Sequence, residues 1–125
     1  MRRLRIMVVD DSGLTVKKMA KLLEELGHEV VHVAATGQQA VDAYPGVAPD
    51  LVTMDITMPD MDGIEATRRI LATAPSALVI IVTSHGQEQM VMDAIEAGAK
   101  GYILKPVKKE KLVETLETVT AKYLS

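Results

Sequence analysis

Runs of apolar and β-branched residues recur along the chain at residues 4–9, 29–34, 50–54, 78–82 and 101–104, and each is followed by a stretch with the three-and-four spacing of a helix. This alternation constrains the fold more than any other feature of the sequence. Neighbouring parallel strands need a crossover, and short right-handed crossovers through helices leave a doubly wound α/β sheet of five parallel strands as the economical architecture. The core must be filled by Val, Ile, Leu, Ala and Met, because 48% of residues are hydrophobic while Phe and Trp are absent and Tyr occurs three times. That is the composition of strands covered on both faces. At 125 residues the expectation is a single domain spanning 1–125, with no output domain.

The punctuation agrees with this reading. Leu14, Met19, Leu22, Leu23 and Leu26 give the first helix its apolar spacing, and Gly27 supplies a left-handed stop. Thr36-Gly37-Gln38-Gln39 fits a capping box, opening a helix that carries Ala40, Val41 and Tyr44 and is expected to end by Pro45. Ile64, Thr67, Ile70 and Leu71 mark the third helix, up to Pro75, and the fourth should run from about residue 87 to 97, stopped by Gly98. The last helix, residues 108–123, places Leu112, Leu116, Val119 and Tyr123 on one stripe. The second strand is more polar and belongs near an edge; residues 78–82 are the most apolar run and must form a central strand.

In an open α/β sheet, ligands bind beyond the carboxyl ends of the strands. Here those ends carry Asp10 and Asp11 after the first strand, Asp55 after the third, Thr83 after the fourth and Lys105 after the fifth. Three converging carboxylates repel and hold protons unless a cation sits among them, and oxygen-only ligation with room for water suits Mg2+. A carboxylate beside a metal, a hydroxyl and an ammonium has what phosphoryl transfer requires: Asp55 as nucleophile, with Thr83 and Lys105 balancing charge on the equatorial oxygens.

Asp10-Asp11, Asp55 with the Met-Pro-Asp-Met-Asp-Gly that follows, Thr83-Ser84 and Lys105-Pro106 resemble the response-regulator receiver domain of two-component signalling, most nearly its single-domain chemotaxis regulators of the CheY type. The resemblance spans essentially the whole chain and rests on four separated motifs in order. It implies the (βα)5 flavodoxin-like fold with strand order 2-1-3-4-5. It also implies a histidine kinase whose phosphohistidine donates to Asp55, with Mg2+ held by Asp11, Asp55 and the backbone carbonyl of Thr57, and Asp10 holding metal-bound water. Lys105 would pair with Asp55 before transfer and with the phosphoryl group afterwards, its peptide bond to Pro106 being cis. Thr83 would move toward the phosphoryl group, letting Tyr102 swing inward and changing the face made by the fourth helix, fifth strand and last helix, where a downstream protein partner binds. Thr57 and His85 occupy the two positions that tune loss of the phosphoryl group. The implied function is a switch in chemotaxis or motility control, with phosphorelay intermediate as the alternative. Enzymatic activity would be limited to self-phosphorylation and autodephosphorylation.

Each residue also has a plainer reading. Asp10 and Asp11 could cap the first helix, Thr83 or Ser84 the fourth; Lys105 could be a surface lysine and Tyr102 a half-buried core aromatic. His28 and His32 lack ligand-spaced partners and read as surface or edge residues. Met90 and Met92 lie roughly 200° apart on a helix, so one of them should face outward, as a stray methionine or a docking patch. Lys108, Lys109 and Lys111 crowd a helix start, where the dipole disfavours cations, as expected of either partner contact or solubility. Other function classes fit poorly. A small aspartyl-phosphate phosphatase wants an acid at position 57, where Thr stands, and a flavin carrier wants aromatic walls. Nucleic-acid binding wants a basic or aromatic surface, against a net charge of -3. The absence of cysteine and of a long apolar segment leads us to expect a cytoplasmic protein without membrane insertion.

Overall fold

The computed structural model describes residues 2–124; Met1 and Ser125, the ends of the expected domain, lie outside the described residues. Five strands alternate with five helices: β1 (Arg5–Val9), α1 (Gly13–Glu25), β2 (Glu29–Ala34), α2 (Gly37–Val47), β3 (Leu51–Met54), α3 (Gly63–Thr73), β4 (Val79–Thr83), α4 (Glu88–Glu96), β5 (Gly101–Leu104) and α5 (Lys109–Tyr123). All strand pairs are parallel and the order is β2-β1-β3-β4-β5, as the family resemblance implied.

Successive side chains of a strand point to opposite faces, and in β1 and β4 both faces are covered. Ile6, Val8, Ile80 and Val82 pack with Met19 and Leu23 of α1 and Leu112, Leu116 and Val119 of α5. Met7, Val9, Val79 and Ile81 pack on the other face with Ala40 of α2, Ile64 and Ile70 of α3 and Ala94 of α4. This is why the inner strands read as unbroken apolar runs, whereas β2, at the edge, leaves Val33 45% exposed.

Several local expectations give way to tertiary contacts. Helix α2 does not end by Pro45 but continues through it to Val47. Proline's fixed φ suits a helix, and the end of α2 is held from outside: the Arg5 guanidinium donates to the carbonyls of Ala48 (2.7 Å) and Val47 (2.9 Å), while Ala48 turns left-handed at φ 46°. Gln39 reaches back to the amide of Ala35 at 2.9 Å rather than to Thr36 itself. His28 is neither a surface nor an edge residue. Gly27, at φ 89°, turns the chain so that the imidazole is buried and its Nδ1 accepts from the amide of Leu4 at 3.1 Å. Burial pushes its pKa down. Leu14 and Tyr123 leave the stripes drawn for them, at 65% and 42% exposure; the Tyr123 ring lies 5.4 Å from the ammonium groups of Lys100 and Lys122. Of the two fourth-helix methionines it is Met92 that faces outward, 49% exposed.

Candidate functional site

The backbone brings the strand ends together in two stitched pairs. The amide of Asp55 donates to the carbonyl of Val9 at 2.9 Å, which sets the end of β3 beside Asp10. The amide of Lys105 donates to the carbonyl of Thr83 at 2.8 Å, which joins the ends of β4 and β5. Asp10 and Asp55 are buried, at 5% and 7% exposure, while Asp11 is exposed. A side chain at Gly63 would collide with the carbonyl of Asp55, so only glycine lets α3 start this close to the end of β3.

Lys105 closes the group. Its Nζ donates to Asp10 at 2.8 Å and to Asp55 at 3.3 Å, bridging carboxylates that are 95 and 50 residues away in sequence. Burial, and then the neighbouring Asp10 charge, raise the pKa of Asp55 against the opposing pull of the ammonium. Burial alone would lower the pKa of Lys105, but its two carboxylate partners outweigh that and the net shift is upward. The Lys105 ammonium and the Asp55 carboxylate therefore support each other's charge out of water, while the Asp10 carboxylate favours the ammonium and opposes the charge on Asp55.

Asp10, Asp11 and Asp55 each offer an oxygen within 4.8 Å of the others, the one such cluster among the described residues. An all-oxygen, acid-rich donor set fits a hard divalent cation. Neither Asp10 nor Asp11 caps α1. That cap is Ser12, whose hydroxyl accepts from the amide of Thr15 at 3.3 Å, while Asp10 accepts from the amide of Ser12 at 2.9 Å.

The remaining residues form a second tier. Thr83 is fully buried and its hydroxyl accepts from the amide of His85 at 3.2 Å. Neither Thr83 nor Ser84 caps α4, because the helix starts only at Glu88 and its cap position is Gln87, which makes no side-chain cap bond. His85 Nε2 meets the Thr57 hydroxyl at 2.8 Å, and the Tyr102 hydroxyl donates to the carbonyl of His85. Tyr102 is thus tied to the β4–α4 loop while its ring packs against the core. The Lys105–Pro106 peptide is cis.

Two residues of the 55–63 motif have contacts the sequence reading passed over. Asp62 caps α3, accepting from Glu65 at 2.9 Å, a role its place before Gly63 and a helical run could have signalled. Asp60 accepts from the amides of Gly37, Gln38 and Met61 at 3.1, 3.0 and 2.7 Å. No sequence signal joins positions 60 and 37; only the fold does.

Comparison with known proteins follows the same lines. A sequence profile of the response regulator receiver domain matches residues 6–117. The chain is 40% identical over 116 residues to the chemotaxis protein CheY of Thermotoga maritima, covering 93% of this chain and 97% of that protein. To CheY of Bacillus subtilis it is 45% identical over 112 residues, covering 90% and 93%. Among solved structures it is similar to the CheX–CheY–BeF3–Mg2+ complex of Borrelia burgdorferi, with TM-score 0.89 and 37% identity over 92% of this chain and 87% of that one. A CheY-like receiver of Methanospirillum hungatei also gives 0.89, at 29% identity over 98% and 97%. Among the described residues no helix is long and apolar enough to cross a membrane.

Proposed function

The chain belongs to the response regulator receiver family, related throughout to chemotaxis regulators, and from that premise we propose that it is a cytoplasmic switch operated by phosphorylation of Asp55. The donor is a phosphohistidine of a histidine kinase. Asp55 attacks phosphorus; the P–O bond forms as the P–N bond breaks, and the departing imidazole nitrogen keeps the electron pair. The observation that carries this reading is the position of the Lys105 ammonium, 3.3 Å from the Asp55 carboxylate and anchored at 2.8 Å on Asp10. There it can leave Asp55 for a phosphoryl oxygen without leaving the site. The Thr83 hydroxyl supplies a second donor to the transferred group.

Asp10, Asp11, Asp55 and the carbonyl of Thr57 are the groups that would hold Mg2+, which when bound offsets charge on the transferring oxygens. Hydrolysis of the acyl phosphate is tuned at the mouth of the site by Thr57 and His85, whose mutual bond spans the loops that follow β3 and β4. Recruitment of Thr83 toward the phosphoryl group pulls on His85, and through its carbonyl on Tyr102. The surface that changes is the α4–β5–α5 face. Met92, Ile95 and Leu104 are exposed there, and a groove of about 520 Å³ is lined by Val91, Tyr102, Leu104, Lys108 and Lys111. A downstream partner reads that face, and chemotaxis is the setting we assign.

Incubation with acetyl phosphate and Mg2+ should label the protein on Asp55, and Asp55→Asn should abolish the label. Wild-type labelling of the variant would overturn the assignment. Capture of a partner from the source cell by beryllofluoride-treated protein, and not by untreated protein, would identify the downstream target.

A further inference from the structure

The loop between β3 and α3 is anchored at its ends. Its first residue, Asp55, is stitched to Val9, and at its other end Gly63, the first residue of α3, donates to the carbonyl of Ile56 at 2.8 Å while Asp62 caps the helix. Between these anchors the chain passes through Thr57, exposed Pro59 and exposed Asp60. The loop's outermost point is not free, because Asp60 spreads its carboxylate over the first two amides of α2. Oδ1 accepts from Gly37 and from Met61 in the loop itself, and Oδ2 accepts from Gln38. The first-turn amides of a helix have no partner within it, and a carboxylate there is further favoured by the dipole.

The other side of the junction is cut to fit. Gly37 is buried, and a Cβ on it would lie 2.7 Å from the carbonyl of Met61 and 3.0 Å from its Cβ, so the loop and the helix start touch backbone to backbone. Helix α2 already has a side-chain cap of its own in Thr36, which accepts from Gln39 at 3.0 Å. Asp60 is therefore not the residue that starts α2. What it adds is a cross-link from that helix to the loop carrying Thr57.

We propose that Asp60 is a positioning residue for the cation site: clamped to the start of α2, it holds the 56–62 loop so that the carbonyl of Thr57 faces the Asp10–Asp11–Asp55 carboxylates before any ion arrives. This rests on the proposed site reading, which places that carbonyl among the ligands, and adds what keeps it there. Groups behind a metal ligand act on affinity by sparing the ligand reorganisation on binding, without touching the ion.

The test uses the full chain with Mg2+ alone, followed by amide NMR shifts and by tyrosine fluorescence, with the acetyl phosphate labelling rate measured in parallel. Asp60→Ala should expose the Gly37 and Gln38 amides to faster hydrogen exchange and weaken Mg2+ binding by about tenfold, the low end for loss of an outer partner. The labelling rate at saturating Mg2+ should stay within about twofold of wild type, since the reacting groups are intact. Gly37→Ala, which pushes the same junction apart from the helix side, should weaken Mg2+ similarly, and the double variant should lose less than the product of the two. Thr36→Ala, which removes the helix's own cap, should lower thermal stability and leave Mg2+ affinity unchanged. Mg2+ binding by Asp60→Ala equal to wild type, or weakened to the same extent by Thr36→Ala, would overturn the clamp alone. A wild-type protein that binds no Mg2+ would overturn the site reading with it. Should Asp60→Ala not fold, Asp60→Asn keeps one acceptor oxygen and should give an intermediate affinity; a wild-type value would count against the proposal.

Discussion

Helices α3 and α4 pack on the same face of the sheet and follow strands that are neighbours, yet they are held very differently. Helix α3 buries Gly63, Ile64, Ala66, Thr67 and Ile70, and Asp62 caps it. Helix α4 buries Ala94 alone, has no side-chain cap, and shows Met92 and Ile95 to solvent. The wall that follows β3 is fixed, and the wall that follows β4 is loosely docked. The proposed switch needs this asymmetry, because a phosphoacceptor at Asp55 must be preorganised while the surface it would control must shift at small energetic cost.

The comparison can be broken most directly in the two hydrophobic seams. Ile70→Ala should cost about 2–5 kcal/mol of unfolding free energy, whereas Ile95→Ala should stay within about 0.5 kcal/mol. Denaturant titration measures both, and similar costs for the two would mean that α4 is docked as firmly as α3. The caps come next. Asp62→Ala should lose about 1 kcal/mol, and Gln87→Ala, with no cap bond to remove, should lose nothing measurable. Conversely, Gln87→Ser should stabilise α4 and reduce the difference in hydrogen exchange between the two helices; exchange of α4 amides unchanged by the new cap would show that packing alone sets its mobility.

The gentlest test is one of sign. Burial and Asp10 raise the pKa of Asp55 in the folded state above its unfolded value, so the folded protein binds the extra proton more tightly. Stability from that group is present below the ordinary carboxylate range and is lost as pH rises through the folded value. Without Mg2+, Asp55→Asn should therefore be more stable than wild type at neutral pH, and the advantage should vanish as the pH falls below the carboxylate range. His28 titrates with the opposite slope. Its pKa is lowered by burial, so stability is lost as pH falls through and below the usual histidine range, in wild type and variant alike. A variant and a wild type with the same pH profile would show that Asp55 is not strained.

Much of this was legible in the residues because it is local. Gly27 and Gly98 stand in the left-handed conformation where they close α1 and α4, and the apolar runs became strands within a residue or so of their expected bounds. The strand-end rule placed Asp10, Asp11, Asp55, Thr83 and Lys105 on one rim, because parallel strands all present the same end there. What could not be read depended on partners distant in sequence. Pro45 stays helical because Arg5 serves the carbonyls beyond it, His28 is buried because a turn carries it over Leu4, and Asp60 is engaged by Gly37 and Gln38. Composition marks all three as surface punctuation, and only tertiary contact gives them their places.

The bridge from Lys105 to Asp10 and Asp55 has a consequence for the protein during its own synthesis. Asp55, the proposed phosphoacceptor, leaves the ribosome fifty residues before the Lys105 amine that balances it, and that amine directly follows β5. A truncated or half-translated chain carries the nucleophile without its counter-charge, so it cannot be mistaken for a finished regulator. On the proposed reading, competence to signal is conferred only when β5 is in place, which makes chemical readiness a report that folding is complete.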